Sequence, residues 1–189
     1  MLTEGVEPLP ISDDSSTQLN PHAWMSPLTA QIYVDNIEAA LSDLAPEHAA
    51  DFATNADTYR SELQAVHDEL ITTLAAVPEH QRALVTCEGA FGYLVRDAGM
   101  REAYLWPVNS DQQGTPQQIA RTVDFVRDND IPAVFCESTV SDKAQRQVAA
   151  DTGAAYGAPS TSIPCPNPTA PCPPISIFCA TMSQPSRQD

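Results

Sequence analysis

The sequence predicts an α/β fold of two lobes joined by one long helix, with a doubly wound parallel sheet in the second lobe. Three observations predict it. Over 83–156 short apolar runs alternate with amphipathic stretches, the pattern of strand–helix–strand units in a parallel sheet. Ahead of them Phe52, Ala56, Tyr59, Leu63, Val66, Leu70, Leu74 and Val77 recur at threes and fours. That spacing makes 47–77 one helix of roughly 45 Å, long for a single compact domain and suited to a strut between lobes. Two apolar runs close on the same dipeptide, Cys87-Glu88 and Cys136-Glu137, so both glutamates face one edge of the sheet, where open α/β folds bind ligands.

The elements follow in order. Residues 1–20 are polar and turn-rich and lead into Asn20-Pro21-His22-Ala23-Trp24-Met25-Ser26-Pro27. Ser26 before Pro27 is an N-cap with proline at the first helical position, so a helix runs over 27–44 and stops before Pro46. Its buried positions are expected to be Leu28, Ile32, Ile37, Leu41 and Leu44. On the long helix Asp51, Asp57, Arg60, Glu62, Asp68 and Glu69 form a solvated surface, and His48, His67 and His80 read as surface residues rather than ligands. Strands are expected over 83–87, 103–107, 133–136 and from 154. Helices are expected over 89–97, 116–128 behind the cap Thr115, and 142–151. The partition is 1–46 for the end of a first lobe, 47–77 for the linking helix, 82–157 for an incomplete second lobe, and 158–189 for a tail.

The tail is set apart by composition. Beyond Gly157 the chain is dense in proline, nearly uncharged and free of glycine, which forbids helix and central strand, so it is expected to be extended or disordered. Cys165, Cys172 and Cys179 recur every seven residues, but without a Cys-x-x-Cys pair or a nearby histidine they make neither a metal knuckle nor a disulfide framework. The whole chain carries a formal charge of -16, with Lys143 its one lysine, which argues against nucleic acid and against an anionic membrane surface. No apolar run is long enough to span a bilayer, and the N-terminus lacks the basic start and apolar core of a signal peptide.

Glu88 is the first candidate site residue. A carboxylate at a strand end beside a helix N-terminus is held ionised, which suits a cation ligand or a general acid/base; the plain alternative is that it caps the helix. His22 is the second. A lone loop histidine is ordinarily solvent-exposed or hydrogen-bonded, but Pro21 fixes the backbone before it and Trp24 can shield it from water. Cys87 and Cys136 end neighbouring strands if the sheet is doubly wound. They could then approach disulfide distance, although buried thiols are the expected state.

Asn20-Pro21-His22-Ala23-Trp24, Cys87-Glu88-Gly89-Ala90-Phe91, Leu105-Trp106-Pro107-Val108-Asn109, Gln112-Gln113-Gly114-Thr115-Pro116 and Val134-Phe135-Cys136-Glu137-Ser138-Thr139-Val140 together resemble the manganese/iron-type solute-binding proteins of metal ABC importers. The resemblance runs over about 4–157. It implies two α/β lobes joined by a rigid helix, a metal held between them, a location in the periplasm or at the cell surface, and delivery to a membrane permease. By the match His22 and Glu88 are the second and third metal ligands, while Glu137 and Trp24 support the site without coordinating. Zinc-type relatives have histidine where Glu88 stands, so the carboxylate points to Mn²⁺ or Fe²⁺, with Zn²⁺ also admissible; harder oxygen donors favour the same choice.

Two departures from the family pattern carry expectations of their own. The family's first histidine ligand belongs to a segment earlier than this chain's start, and its last, an aspartate, belongs to a strand after Tyr156, where the proline-rich tail stands. Suitable codons for 158–166, read one base out of register, spell Thr-Leu-Tyr-Val-Asp-Ser-Leu-Ser, which resembles that strand; a one-base deletion near codon 157 is therefore expected. Such a chain holds two of four ligands, binds metal less well and leaves apolar faces uncovered. Two other classes compete: a hydrolase using Glu88 and Glu137 as a carboxylate pair, and an adhesion or interaction module built on the acidic surface and long helix. No nucleophile elbow, phosphate loop or dinucleotide fingerprint supports an enzyme.

Overall fold

The computed structural model describes residues 1–11, 18–108 and 114–157. Strand β1 (Ala83–Glu88) is apolar or β-branched at nearly every position, and it is buried along its length as a parallel strand covered on both faces must be. It pairs in parallel with β2 (Arg101–Trp106), Ala83 opposite Arg101 and Glu88 opposite Trp106. On its other side stands β3 (Ala133–Val134), tied by the Phe135 N–H to the Val85 carbonyl at 2.9 Å, and β4 (Ala155–Tyr156) pairs in parallel with β3. The spatial order β2-β1-β3-β4 is a doubly wound one, as expected.

Alternation along β1 feeds two cores. Leu84 points to one face, where it packs with Val66, Leu70 and Leu74 of α2 (Ala49–Ala75) and with Leu94 and Val95 of α3 (Gly92–Asp97). Ala83, Val85 and Cys87 point to the other, against Val123 and Val126 of α4 (Pro116–Asp128) and Val148 of α5 (Lys143–Thr152). α4 opens on the expected cap: Thr115 Oγ1 accepts from the Gln118 N–H and Gln118 Oε1 from the Thr115 N–H. The long helix is shorter by two residues at each end than the expected 47–77, because Pro46–His48 forms a separate 3₁₀ turn and Pro78 follows closely.

Several expectations are corrected. α1 (Pro27–Leu44) buries Pro27 and Thr29, whereas Leu28 and Ile32 are half-buried and Ile37, Leu41 and Leu44 are exposed at 42%, 40% and 81%. The helix packs on α2, with Arg60 of α2 bonding Asp35 and Glu38 of α1, and among the described residues nothing covers the outer half of its apolar stripe. Tyr59 is exposed for the same reason. His48 and His80 lie on the surface, but His67 is half-buried and its Nδ1 is enclosed without a partner. α3 starts three residues later than expected because the chain between β1 and α3 spends its N–H groups elsewhere: Gly89 on the Trp106 and Pro107 carbonyls, Phe91 on the Glu102 carboxylate. Glu88 therefore does not cap the helix; the N-cap position is Phe91. β2 starts two residues earlier than expected, since Arg101 is drawn into register with Ala83. The proline-rich tail, the suspected frameshift junction, Asn109, Gln112 and Gln113 lie outside the described residues. No helix of the described residues is long and apolar enough to cross a membrane.

Leu84 is fully buried and Leu44 is mostly exposed, so the two separate core from rim. Leu84→Ala is expected to lower the unfolding free energy by about 2–5 kcal/mol and Leu44→Ala by under about 0.5 kcal/mol, as read from chemical denaturation. Similar losses at both positions would mean that α1 is covered after all.

Candidate metal centre

The site is assembled by a buried asparagine. Asn20 donates from Nδ2 to the Gly89 carbonyl at 3.0 Å, and its Oδ1 accepts the His22 backbone N–H at 3.0 Å. The same Oδ1 lies 2.9 Å from His22 Nδ1. A carboxamide oxygen can only accept, so Nδ1 carries the proton and Nε2 presents its lone pair. Nε2 stands 3.8 Å from Glu88 Oε1, and both side chains are about 15% exposed. The segment is anchored again through the Tyr93 hydroxyl, which donates to the Asn20 carbonyl at 3.0 Å and accepts the Leu9 N–H at 3.1 Å. The two sequence-predicted ligands thus meet, one from the loop before α1 and one from the end of β1.

Around Glu88 the backbone is held from several directions. Thr86 Oγ1 donates to the Glu88 carbonyl at 2.8 Å, and the Glu88 N–H points between the two carboxylate oxygens of Glu137 at 3.3 and 3.4 Å. Glu137 is buried, and its carboxylate backs the turn at Glu88. Trp24 meets the His22 ring edge-on at 5.4 Å between centroids, but it is itself 49% exposed and shields the imidazole on one side only. Gly89 is required by packing: a Cβ there would stand 2.8 Å from the Pro107 carbonyl oxygen.

Cys87 and Cys136 correct the thiol expectation. They form a disulfide with their Cα atoms 4.9 Å apart, because the order β2-β1-β3 sets the two strand ends side by side with their cysteines on the same face. Both sulfurs lie within 4.8 Å of a Glu137 oxygen, but bonded to each other they are not thiolate donors.

The electrostatics separate the groups. Burial lowers the His22 pKa from 6.5, and the Glu88 charge opposes that pull. Burial raises Glu137 to about 7 against opposing backbone N–H groups, and the Glu88 charge adds to the rise. Burial thus favours the same neutral imidazole that the Asn20 contact selects. Sequence reasoning assigned no role to Asn20, although an asparagine two residues before a histidine is the signal of a side chain that folds back onto the i+2 N–H. Glu102 was also missed. Its carboxyl, pushed to about 7 by burial, accepts the Phe91 N–H, and no sequence signal marks a carboxylate that reaches across from a neighbouring strand.

Fold and centre define a class: an α/β lobe that sets an imidazole nitrogen against a carboxylate oxygen at the carboxyl edge of its parallel sheet. Residues 1–170 match the model of the periplasmic zinc-uptake complex component A, ZnuA. The chain belongs to this family. It is 48% identical over 158 residues to the iron-binding protein YfeA of Yersinia pestis, a match covering 83% of this chain and 51% of that protein. It is 34% identical over 148 residues to the manganese-binding lipoprotein MntA of Halalkalibacterium halodurans, covering 78% and 49%. Among solved structures it superposes on the Mn-bound periplasmic metal binding protein of Candidatus Liberibacter asiaticus with a TM-score of 0.85 at 33% identity, covering 97% of this chain and 69% of that one. The chain spans about half the length of the curated relatives it matches.

Two measurements check the electrostatics. Glu88→Gln removes the charge that holds the His22 pKa up, so the His22 NMR titration is expected to move further down; an unchanged value would show that the two do not face each other. A carboxyl whose folded pKa lies above its ordinary 4.5 costs stability as pH rises from there through about 7. Glu137→Gln is therefore expected to raise the unfolding free energy at pH 8 by roughly 1–3 kcal/mol and to change it little near pH 4. Denaturation at the two pH values reads the difference, and a destabilised variant at pH 8 would refute the assignment.

Proposed function

We propose that this chain takes part in the capture of a divalent metal ion outside the cytoplasm and its delivery to the permease of an ABC importer, with Mn²⁺ or Fe²⁺ as cargo and Zn²⁺ admitted. The observation that carries the reading is the 3.8 Å approach of His22 Nε2 to Glu88 Oε1, with Nδ1 engaged by Asn20. Two donors each about 2.0–2.2 Å from a shared ion stand at most about 4.4 Å apart, so one ion reaches both without rearrangement of the backbone. A hydrogen bond that fixes the tautomer and aims the free nitrogen is what metal-bound histidines use. The imidazole–carboxylate set suits first-row ions of intermediate hardness.

Relatives named for iron and manganese support the choice of cargo, and relatives named as substrate-binding lipoproteins of metal ABC transporters support the permease partner. The disulfide supports an oxidising compartment. The partition follows the same reading: 1–46 ends a first lobe, 47–77 links, 82–157 belongs to a second lobe, and 158–189 is a tail. Two donors are fewer than the six that Mn²⁺ takes, so weaker binding is expected than from a full ligand set. Binding rather than hydrolysis is favoured because the Glu137 carboxylate is directed at the Glu88 backbone N–H.

Calorimetric titration of Mn²⁺ and Zn²⁺ into the purified chain tests this, beside His22→Ala and Glu88→Ala. Measurable binding that each substitution weakens by more than about 10- to 100-fold is expected, the lower range being what loss of a supporting group alone costs. Binding that survives both substitutions would overturn the assignment and favour an interaction module.

A further inference from the structure

We propose that Tyr93 and Asp97 of α3 are positioning residues for His22, clasping the segment that carries it at both ends, so that metal affinity at the His22–Glu88 pair depends on that clasp. The inference rests on the reading of His22 and Glu88 as donors. Tyr93 and Asp97 stand four residues apart, on one face of α3. Their partners are Asn20 and Ser26, and His22 lies between the two.

The first hold is the Tyr93 hydroxyl on the Asn20 carbonyl at 3.0 Å. The second comes from a serine that does not do what its position predicts. Ser26 has the extended backbone of an N-cap, φ -96° and ψ 130°, where a hydroxyl ordinarily accepts an N–H of the first helical turn. It makes no such bond; it is fully buried and donates to Asp97 Oδ2 instead. That contact sets the Asp97 carboxylate at the N-terminal end of α1, where the helix dipole favours negative charge. Its other oxygen accepts Arg96 Nε at 2.8 Å, so both oxygens are engaged and only 11% of the side chain is exposed.

Between the two holds the chain has no slack. Ala23–Met25 is a single 3₁₀ turn in which the His22 carbonyl accepts the Met25 N–H at 3.0 Å. The Ala23 carbonyl accepts the Ser26 N–H at 3.3 Å and also the Thr29 hydroxyl. A displacement of Ser26 is passed to His22 through that turn. α3 is itself seated on the strand that carries the other donor: Leu94 and Val95 pack in one cluster with Leu84 of β1, and Glu102 of β2 holds the Phe91 N–H ahead of the helix. Glu88 takes its place from β1 and His22 from α3, so one packed unit sets the distance between them. A donor pair needs its supporting groups held to within a fraction of an ångström. The Asn20 bond to the Gly89 carbonyl holds the same segment independently, so loss of the clasp loosens His22 without releasing it.

The test compares the full chain with the double variant Tyr93→Phe, Asp97→Ala under conditions where both are folded. Tyr93→Phe removes the hydroxyl and keeps the buried ring. Calorimetric titration with Mn²⁺ is expected to show binding about 10-fold weaker, the lower end of what loss of a group supporting a ligand costs. Long-range ¹H–¹⁵N spectra of the imidazole, recorded without metal and at a pH where His22 is neutral, read its tautomer. The Nδ1-protonated form is expected in the unaltered chain, and a mixture with the Nε2-protonated form in the variant. Asp97→Asn, which keeps an acceptor for Ser26, is expected to restore part of both when it replaces Asp97→Ala. Val126→Ala opens the core on the α4 side and is expected to lower stability while changing neither.

Unchanged Mn²⁺ affinity in the double variant overturns the proposal. Weaker binding with an unchanged tautomer overturns it too, because the effect would not pass through His22. Losses matched by Val126→Ala would reduce the clasp to a matter of stability and likewise overturn it. Should the double variant not fold, Tyr93→Phe and Ser26→Ala, each alone, carry the same comparison. If the unaltered chain binds no Mn²⁺, the donor reading falls and the dependence of affinity falls with it, while the spectra still decide whether Tyr93 and Asp97 position His22.

Discussion

The burial of β1 on both faces is the constraint on which the remaining structure depends. Leu84 turns to the helices α2 and α3 while Ala83, Val85 and Cys87 turn to α4 and α5, so the strand cannot shift by one residue without exchanging its two apolar sets. The Val85 carbonyl fixes the strand lengthwise, since it accepts both the Phe135 N–H and the Gln145 side chain. Gln145 is fully buried, and its Nε2 bond offsets part of the desolvation of its amide, whose Oε1 is enclosed without a partner. With register and position set, Glu88 has to emerge at the carboxyl edge of the sheet.

His22 reaches that edge by a different route. The segment that carries it belongs to no strand of the sheet, and its attachment is side chain to backbone: Asn20 to the Gly89 carbonyl, and Tyr93 to the Asn20 carbonyl. Asn20 thus does two jobs with one amide. Its nitrogen docks the loop onto the turn after β1, and its oxygen orients the imidazole. The turn it docks on is closed by Gly89, whose N–H bonds the Trp106 and Pro107 carbonyls at a distance that leaves no room for a side chain. Docking and orientation are therefore coupled, and a shift of the turn displaces both donors together.

What was legible in the sequence is what periodicity and short-range chemistry control. The strand-helix alternation, the helix start at Pro27 and the Thr115 cap follow from residue patterns spanning a few positions, whereas the meeting of His22 with Glu88, distant in sequence, was carried by the family resemblance alone. The misreadings have a common origin in contacts between distant segments. Ile37, Leu41 and Leu44 carry a sound helical stripe, but a stripe does not say how much of it a neighbour covers. Glu88 stands close enough to a helix start to look like a cap, and only the diversion of the Gly89 and Phe91 N–H groups moves that start away. Whether Cys87 and Cys136 bond depends on the separation of two strand ends 49 residues apart in sequence, which the doubly wound order suggested but thiol burial alone could not decide.

The charge of the chain and the geometry of the centre bear on different parts of metal recognition. A formal charge of -16 gives the surface a field that draws in every cation, and raises the local concentration of all of them alike. At physiological ionic strength that field decays over about 8 Å, so it brings an ion to the protein and does not hold it at one place. If the chain binds metal as proposed, discrimination has to come from the centre, where burial favours the neutral His22 imidazole and the Asn20 bond leaves its Nε2 lone pair facing Glu88. Had the imidazole been protonated it would repel the cation that the surface gathers. On the proposed reading, the burial that lowers the His22 pKa favours the neutral imidazole and so would turn a nonspecific accumulation of cations into binding at one nitrogen and one oxygen.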